Sequence, residues 1–322
     1  MIRNIKHTLI LLLAVLACSC TKDTDEVGAP ILFSIDGGLD VELTKSVINT
    51  DNLASNTIKV YAEKDASPIT DASTAIISKP SLYWNYSKYT TWQDGHSYSF
   101  QGYAYNTSGF GTSVSADGRT FTVTHSSNNI ANTYDYVISR KVEVGTAESR
   151  NHPIVGLVFD HVLPAVQIYV TKAPEMKEVK ITSMTLKGLY TKAVMKYSVG
   201  DVWLTEYPNG ATRNASYKIQ NKVVSSAKTS DATMEIISVP QALNSDTQLV
   251  INYQVDESMT STKNWVSHDH TFYLSDFLNE IEGGHRVIFH VNIDTGIHLE
   301  ASIARWRPVD FIEGTVLPPI DE

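Results

Sequence analysis

Apolar and polar residues alternate in short stretches along most of the chain, each stretch bounded by turn residues. That period of two predicts β-strands. Ile58, Val60 and Ala62 alternate with Lys59, Tyr61 and Glu63, and Val166, Ile168 and Val170 alternate with Gln167, Tyr169 and Thr171. Leu249, Ile251, Tyr253 and Val255 share one face of another strand. Val287, Phe289, Val291 and Ile293 do the same opposite Arg286, His290, Asn292 and Asp294. Asp294-Thr295-Gly296 then reads as a hairpin turn, with Ile297, Leu299, Ala301 and Ile303 on the returning strand. Strands that bury one face and wet the other imply antiparallel sheets packed as sandwiches. One short helix is expected, Leu274 to Ile281, stopped by Gly283-Gly284.

The N-terminus breaks the pattern. Arg3 and Lys6 precede an apolar run from Leu9 to Ala17, too short for a permanent bilayer span and typical of an export signal. No later apolar run is long enough to cross a membrane as a helix. Leu16-Ala17-Cys18-Ser19-Cys20 follows, and a small residue before a cysteine at this point resembles the lipobox of bacterial lipoproteins. Cys20 is the preferred acylation site and Cys18 the alternative, because Thr21-Lys22-Asp23-Thr24-Asp25-Glu26 then forms an acidic stretch directly after the lipid. That order resembles the surface-export signal of Bacteroidetes lipoproteins. It implies a chain cut before the cysteine and anchored to the outer membrane, facing outward, without spanning it.

Composition narrows the class. A chain of 322 residues is long enough for two cores, and its net charge of −9 argues against a nucleic-acid partner. A charged fraction of 19% with 16 tyrosines suits sheet proteins outside the cell. The two cysteines, both in the signal region, leave no disulfide framework. Gly145 to Pro153 is polar and turn-rich between strand-like stretches, so the expected organisation is a signal peptide over 1–20, an N-terminal β-sandwich over 21–150 and a C-terminal β-sandwich over 151–322.

Three stretches resemble the fimbrillin family, the pilus subunits and relatives of Bacteroidales. Ser97-Tyr98-Ser99-Phe100-Gln101-Gly102-Tyr103-Ala104-Tyr105, preceded by Tyr83-Trp84, is similar to the family's aromatic strand, although Gly102 takes a bulky position. Val158-Phe159-Asp160-His161-Val162-Leu163-Pro164-Ala165-Val166 is similar to the start of its second domain, where His161 reads as structural. Gly284-His285-Arg286-Val287, through the final hairpin to Ile303-Ala304-Arg305-Trp306, is similar to its closing strand and tryptophan. The resemblance implies an all-β chain of two tandem transthyretin-like antiparallel sandwiches. It further implies a surface lipoprotein that joins other subunits of an adhesive type V pilus by strand exchange. Trp306 would then be the buried plug of the second sandwich.

In that mechanism an Arg-specific protease removes the N-terminal strand and a neighbour's strand fills the groove. Ala29 to Ile35 holds the corresponding strand, with Ile31, Phe33 and Ile35 on its apolar face. No arginine lies between Arg3 and Arg119, and the matching cleavage position is Lys45, in Leu43-Thr44-Lys45-Ser46. The chain is therefore cut at Lys45 by another protease, or it keeps its strand. A kept strand suits a basal anchor, or a surface protein outside any pilus, and a basal or non-polymerising role is the favoured expectation. Val309 to Val316 is a short donor candidate limited by Pro308 and Pro318-Pro319.

The alternative is a non-polymerising surface lipoprotein that binds host or bacterial glycans through aromatics such as Trp84, Trp92 and Tyr103. Core packing is the commoner use of such rings in strands. His268-Asp269-His270 places two imidazoles on one strand face, without a third ligand nearby to complete a metal site. No nucleophile elbow, phosphate loop, His-Glu-x-x-His or thiol nucleophile is present. The sequence points away from an enzyme and calls for no cofactor or metal.

Overall fold

The computed structural model describes residues 29–35, 48, 57–70, 77–78, 84–86, 91–110, 113–198, 202–225, 232–258 and 261–306. The regular structure of the described chain is nearly all strand, as the alternation predicts. Strands are numbered in chain order. The N-terminal half holds two sheets. The smaller runs β10 (Val155–Leu157), β1 (Leu32–Ile35), β5 (Trp84–Tyr86), β4 (Ile77–Ser78). The larger runs β11 (Phe159–His161), β8 (Tyr136–Ser139), β6 (Tyr98–Tyr105), β2 (Thr57–Lys64), β3 (Ser67–Thr70), with β9 (Val142–Val144) also paired to β6. Ile58, Val60 and Ala62 of β2 bury their shared face against Phe33, Phe100, Leu157 and Phe159. Each fully buried aliphatic side chain there is worth roughly 1.5–3 kcal/mol. Asp65 and Ala66 close the β2–β3 hairpin with positive φ at both positions, 49° and 60°, the handedness a two-residue hairpin demands.

The C-terminal half stacks β17 (Met234–Ile237), β12 (Ala165–Lys172), β22 (His285–Ile293), β23 (Ile297–Arg305) on β16 (Ser216–Val224), β13 (Val179–Lys187), β19 (Gln248–Asp256), β20 (Trp265–Tyr273). Val166, Ile168, Leu249, Ile251, Phe289 and Val291 fill the space between them. The β22–β23 hairpin turns at Asp294-Thr295-Gly296 as expected, with Ile293 opposite Ile297 and the Asp294 carboxylate accepting the Gly296 N–H at 2.8 Å.

A third group joins the halves. β7 (Thr120–Thr124) pairs with β14 (Lys192–Ser198), which pairs with β15 (Val202–Glu206), so one sheet takes strands from both sides of the expected division. Its core gathers Tyr103, Tyr105, Phe121 and Tyr136 from one side and Ala193, Ile237, Val239 and Trp306 from the other. A small ladder of β18 (Gln241–Ala242) and β21 (Glu280–Ile281) completes the sheets.

Several local expectations change. Leu274 to Ile281 is not a helix. It makes one 3₁₀ turn, Leu274–Asp276, and then enters β21, whose pairing with β18 takes over the backbone bonds. Among the described residues two pairings are parallel, β1 with β10 and β12 with β22, because each pair is joined by long excursions rather than hairpins. Gln167, on the expected wet face, is buried because β12 is a central strand; its amide donates to Glu235 at 2.6 Å. Ile303 is 42% exposed because β23 is a sheet edge. Finally, β10 and β11 lie beyond residue 150 yet pair with β1 and β8. The next strand, β12 from Ala165, pairs with β17 and β22.

Candidate functional site

Two features gather the residues that the sequence singles out: the bed of β1, and a buried polar cluster that joins Ile48, Asp135, His161 and Trp306.

The described part of β1, Leu32–Ile35, is paired on both edges. Phe33, Ser34 and Ile35 run parallel to Val155, Gly156 and Leu157, while Leu32 and Phe33 run antiparallel to Asn85 and Trp84. Just before it, the Trp92 N–H donates to the Ala29 carbonyl at 2.9 Å. Ile31 and Phe33 are buried, and Phe33 meets the Phe100 ring edge-on with centroids 5.6 Å apart. Ile35 is in register within the strand, but its side chain lies outside what is described. Withdrawing β1 would strip one edge from β5 and one from β10 and uncover apolar surface on Phe100 and Leu157.

Behind this bed, Asp135 sits just before β8 and is fully buried. Its Oδ2 accepts the His161 Nδ1–H at 2.8 Å and the Ile48 backbone N–H at 3.0 Å, and its Oδ1 accepts the Tyr136 N–H at 2.8 Å. The His161 ring lies flat on Trp306, with centroids 3.7 Å apart and planes within 7°. Ile48 itself is buried in the core beneath β1. Trp306 is 1% exposed, as expected of a closing tryptophan, but it plugs the core joining the halves rather than the second sandwich. His161 is structural, and Asp135, which no local pattern marks, is the group that orients it.

Burial also sets the electrostatics around this cluster. His125, after β7, is held at a pKa of about 4 chiefly by desolvation, and its Nδ1 accepts the Tyr134 N–H at 3.0 Å. The Tyr136 phenol is pushed well above its ordinary value by burial, and its hydroxyl donates to the Gly118 carbonyl at 2.7 Å. Both groups are therefore uncharged at neutral pH.

The aromatic candidates divide. Trp92 and Tyr103 are buried, in the core under β1 and in the joining core respectively, so neither ring is available to stack on a sugar. Trp84 falls on β5, where its side chain lies outside the described residues. Gly102, the departure from the aromatic pattern, has a reason: a side chain there would press within 3.0 Å of Leu157 and Phe159. His268 and His270 stand on β20 beside Tyr253 and Phe272, and among the described residues no three metal-binding side chains converge. Cys18, Cys20, Lys45 and Val309 to Val316 lie outside the described residues. Among the described residues, no helix is long and apolar enough to cross a membrane.

A sequence model of the fimbrillin-like family matches residues 44–306. Among solved structures, a fimbrial protein from Bacteroides vulgatus superposes with a TM-score of 0.62 at 17% identity, covering 86% of this chain and 99% of that one. A candidate cell adhesion protein from Bacteroides ovatus gives 0.52 at 13% identity, over 88% and 99% of the two chains. One from Bacteroides uniformis gives 0.51 at 14%, over 86% and 99%. At such identities the likeness is one of fold. No curated protein sequence matches the chain.

Proposed function

The chain belongs to the fimbrillin-like family, and from that membership we propose that it is a surface-exposed lipoprotein forming the base of an adhesive pilus assembled by strand exchange. The observation that carries this reading is the seating of β1. It is paired on both edges and buried through Ile31 and Phe33, and it is joined to the body by a connection, 36–47, in which Lys45 is the only basic residue. While the bond after Lys45 is intact, β1 fills its bed in cis, and the subunit accepts no strand from another copy. A lipid on Cys20 would hold such a subunit to the outer membrane, and its tail, Val309 to Val316, would be its donor to the next subunit.

The reading is tested by treating the purified mature protein with a trypsin-like protease. Cleavage after Lys45 should release residues up to Lys45 and convert the monomer into ladders resistant to SDS. A cut protein that remains monomeric and instead binds polysaccharide in an affinity gel would overturn the assembly reading in favour of glycan binding.

A further inference from the structure

β1 and Ile48 are held by different sheets. β1 lies between β10 and β5. Ile48 donates its N–H to Asp135, which precedes β8 in the facing sheet and also orients His161 at the end of β11. The only covalent link between the two holds is residues 36–47, with its single basic residue Lys45. We propose that Asp135 is a positioning residue that marks where the exchangeable strand ends and the permanent body begins. Its carboxylate keeps Ile48 in place whether or not the chain upstream is attached, so one cut in 36–47 frees β1 without fraying the body towards β2.

The chemistry suits the task. A carboxylate has several acceptor sites, and here three donors of different origin converge on it: the Ile48 backbone, its own neighbour Tyr136 and the His161 ring. A buried backbone N–H that loses its acceptor is costly, so Ile48 stays where Asp135 holds it. Through the His161 ring stacked on Trp306, the same carboxylate also braces the point at which the last described strand ends. The start of the body and the root of the C-terminal tail therefore share one buried support. This inference rests on the reading that β1 is exchangeable.

The test places a recognition sequence for a site-specific protease over residues 40–45 of the full chain and follows backbone amide exchange before and after cleavage. After the cut, Ile48 should keep its protection within a few-fold, roughly the noise of one weak bond. Asp135→Ala should raise Ile48 exchange roughly 100-fold, the cost of one buried acceptor at tenfold per 1.4 kcal/mol. Asp135→Asn, which retains a carbonyl acceptor of the same shape, should restore much of the protection. The inference is overturned if, with Asp135 intact, Ile48 exchanges as fast as Val47 once the chain is cut; this arm holds even if Asp135→Ala does not fold. It is equally overturned if Asp135→Ala leaves Ile48 protected. If instead residues 31–35 stay bound after the cut against excess competing strand peptide, the exchange reading fails, while the Ile48 result still decides the role of Asp135.

Discussion

Replacing Trp306 by Ala probes the join between the two halves. The indole is 1% exposed, lies flat on His161 at 3.7 Å and shares a core with Tyr136, Leu163, Ile237 and Val239. Truncating a buried tryptophan removes its transfer free energy and leaves a cavity, at a cost of ~3–5 kcal/mol. Against a total of roughly 5–15 kcal/mol for a native protein, that is a large fraction. Because the core draws on both halves, the loss should appear in one transition rather than as selective melting of the C-terminal sheets. Guanidinium unfolding followed by circular dichroism reads this directly, since fluorescence would change with the tryptophan itself. The midpoint should fall with little change in slope, and Trp306→Phe, which keeps a ring on His161, should recover more than half of the loss. A cost below about 0.5 kcal/mol, the size of an ordinary surface substitution, would refute the placement of Trp306 at the junction.

Three further outcomes follow from the same structure. His125 has its pKa lowered from 6.5 to about 4 by burial, so as pH falls the unfolded chain takes up the proton first. Stability should therefore drop between pH 6.5 and about 4, by up to ~3 kcal/mol, and level off below; His125→Gln should flatten that slope in urea melts, and an unchanged slope would rule out His125 as its source. Gly188→Ala should lower the thermal midpoint, because φ there is +80° and the added carbon would overlap the Asp246 carbonyl; a midpoint within a degree or so of wild type would speak against that strain. Cys20→Ala should abolish fatty-acid labelling and release the protein from cells while Cys18→Ala leaves it anchored, and labelling that survives in the Cys20 variant would reverse the assignment.

Periodicity made much of the sheet structure legible. Ile58, Val60 and Ala62 of β2, and Val287, Phe289, Val291 and Ile293 of β22, bury the faces their alternation marks. What it could not convey is which strands adjoin. The parallel pairing of β12 with β22 joins segments more than a hundred residues apart, and it is this central position that buries Gln167 despite its polarity. The shared sheet of β7, β14 and β15 was hidden for the same reason. Trp92 and Tyr103 illustrate a second gap: an aromatic on a strand reads the same whether its face is wet or covered, and here a second layer covers both. At the candidate site, Phe33 was visible as an apolar strand residue and His161 through its motif. Asp135 was not, because its partners at Ile48 and His161 are 87 and 26 residues away and no spacing announces them.

The most direct test of a basal, strand-retaining subunit is the N-terminal residue of the protein recovered from the cell surface. The account predicts a chain that begins at acylated Cys20 and still carries Ile31 and Phe33 in β1. A chain that begins at Ser46 would contradict it, showing the bond after Lys45 cut, β1 removed and a stalk subunit in place of an anchor.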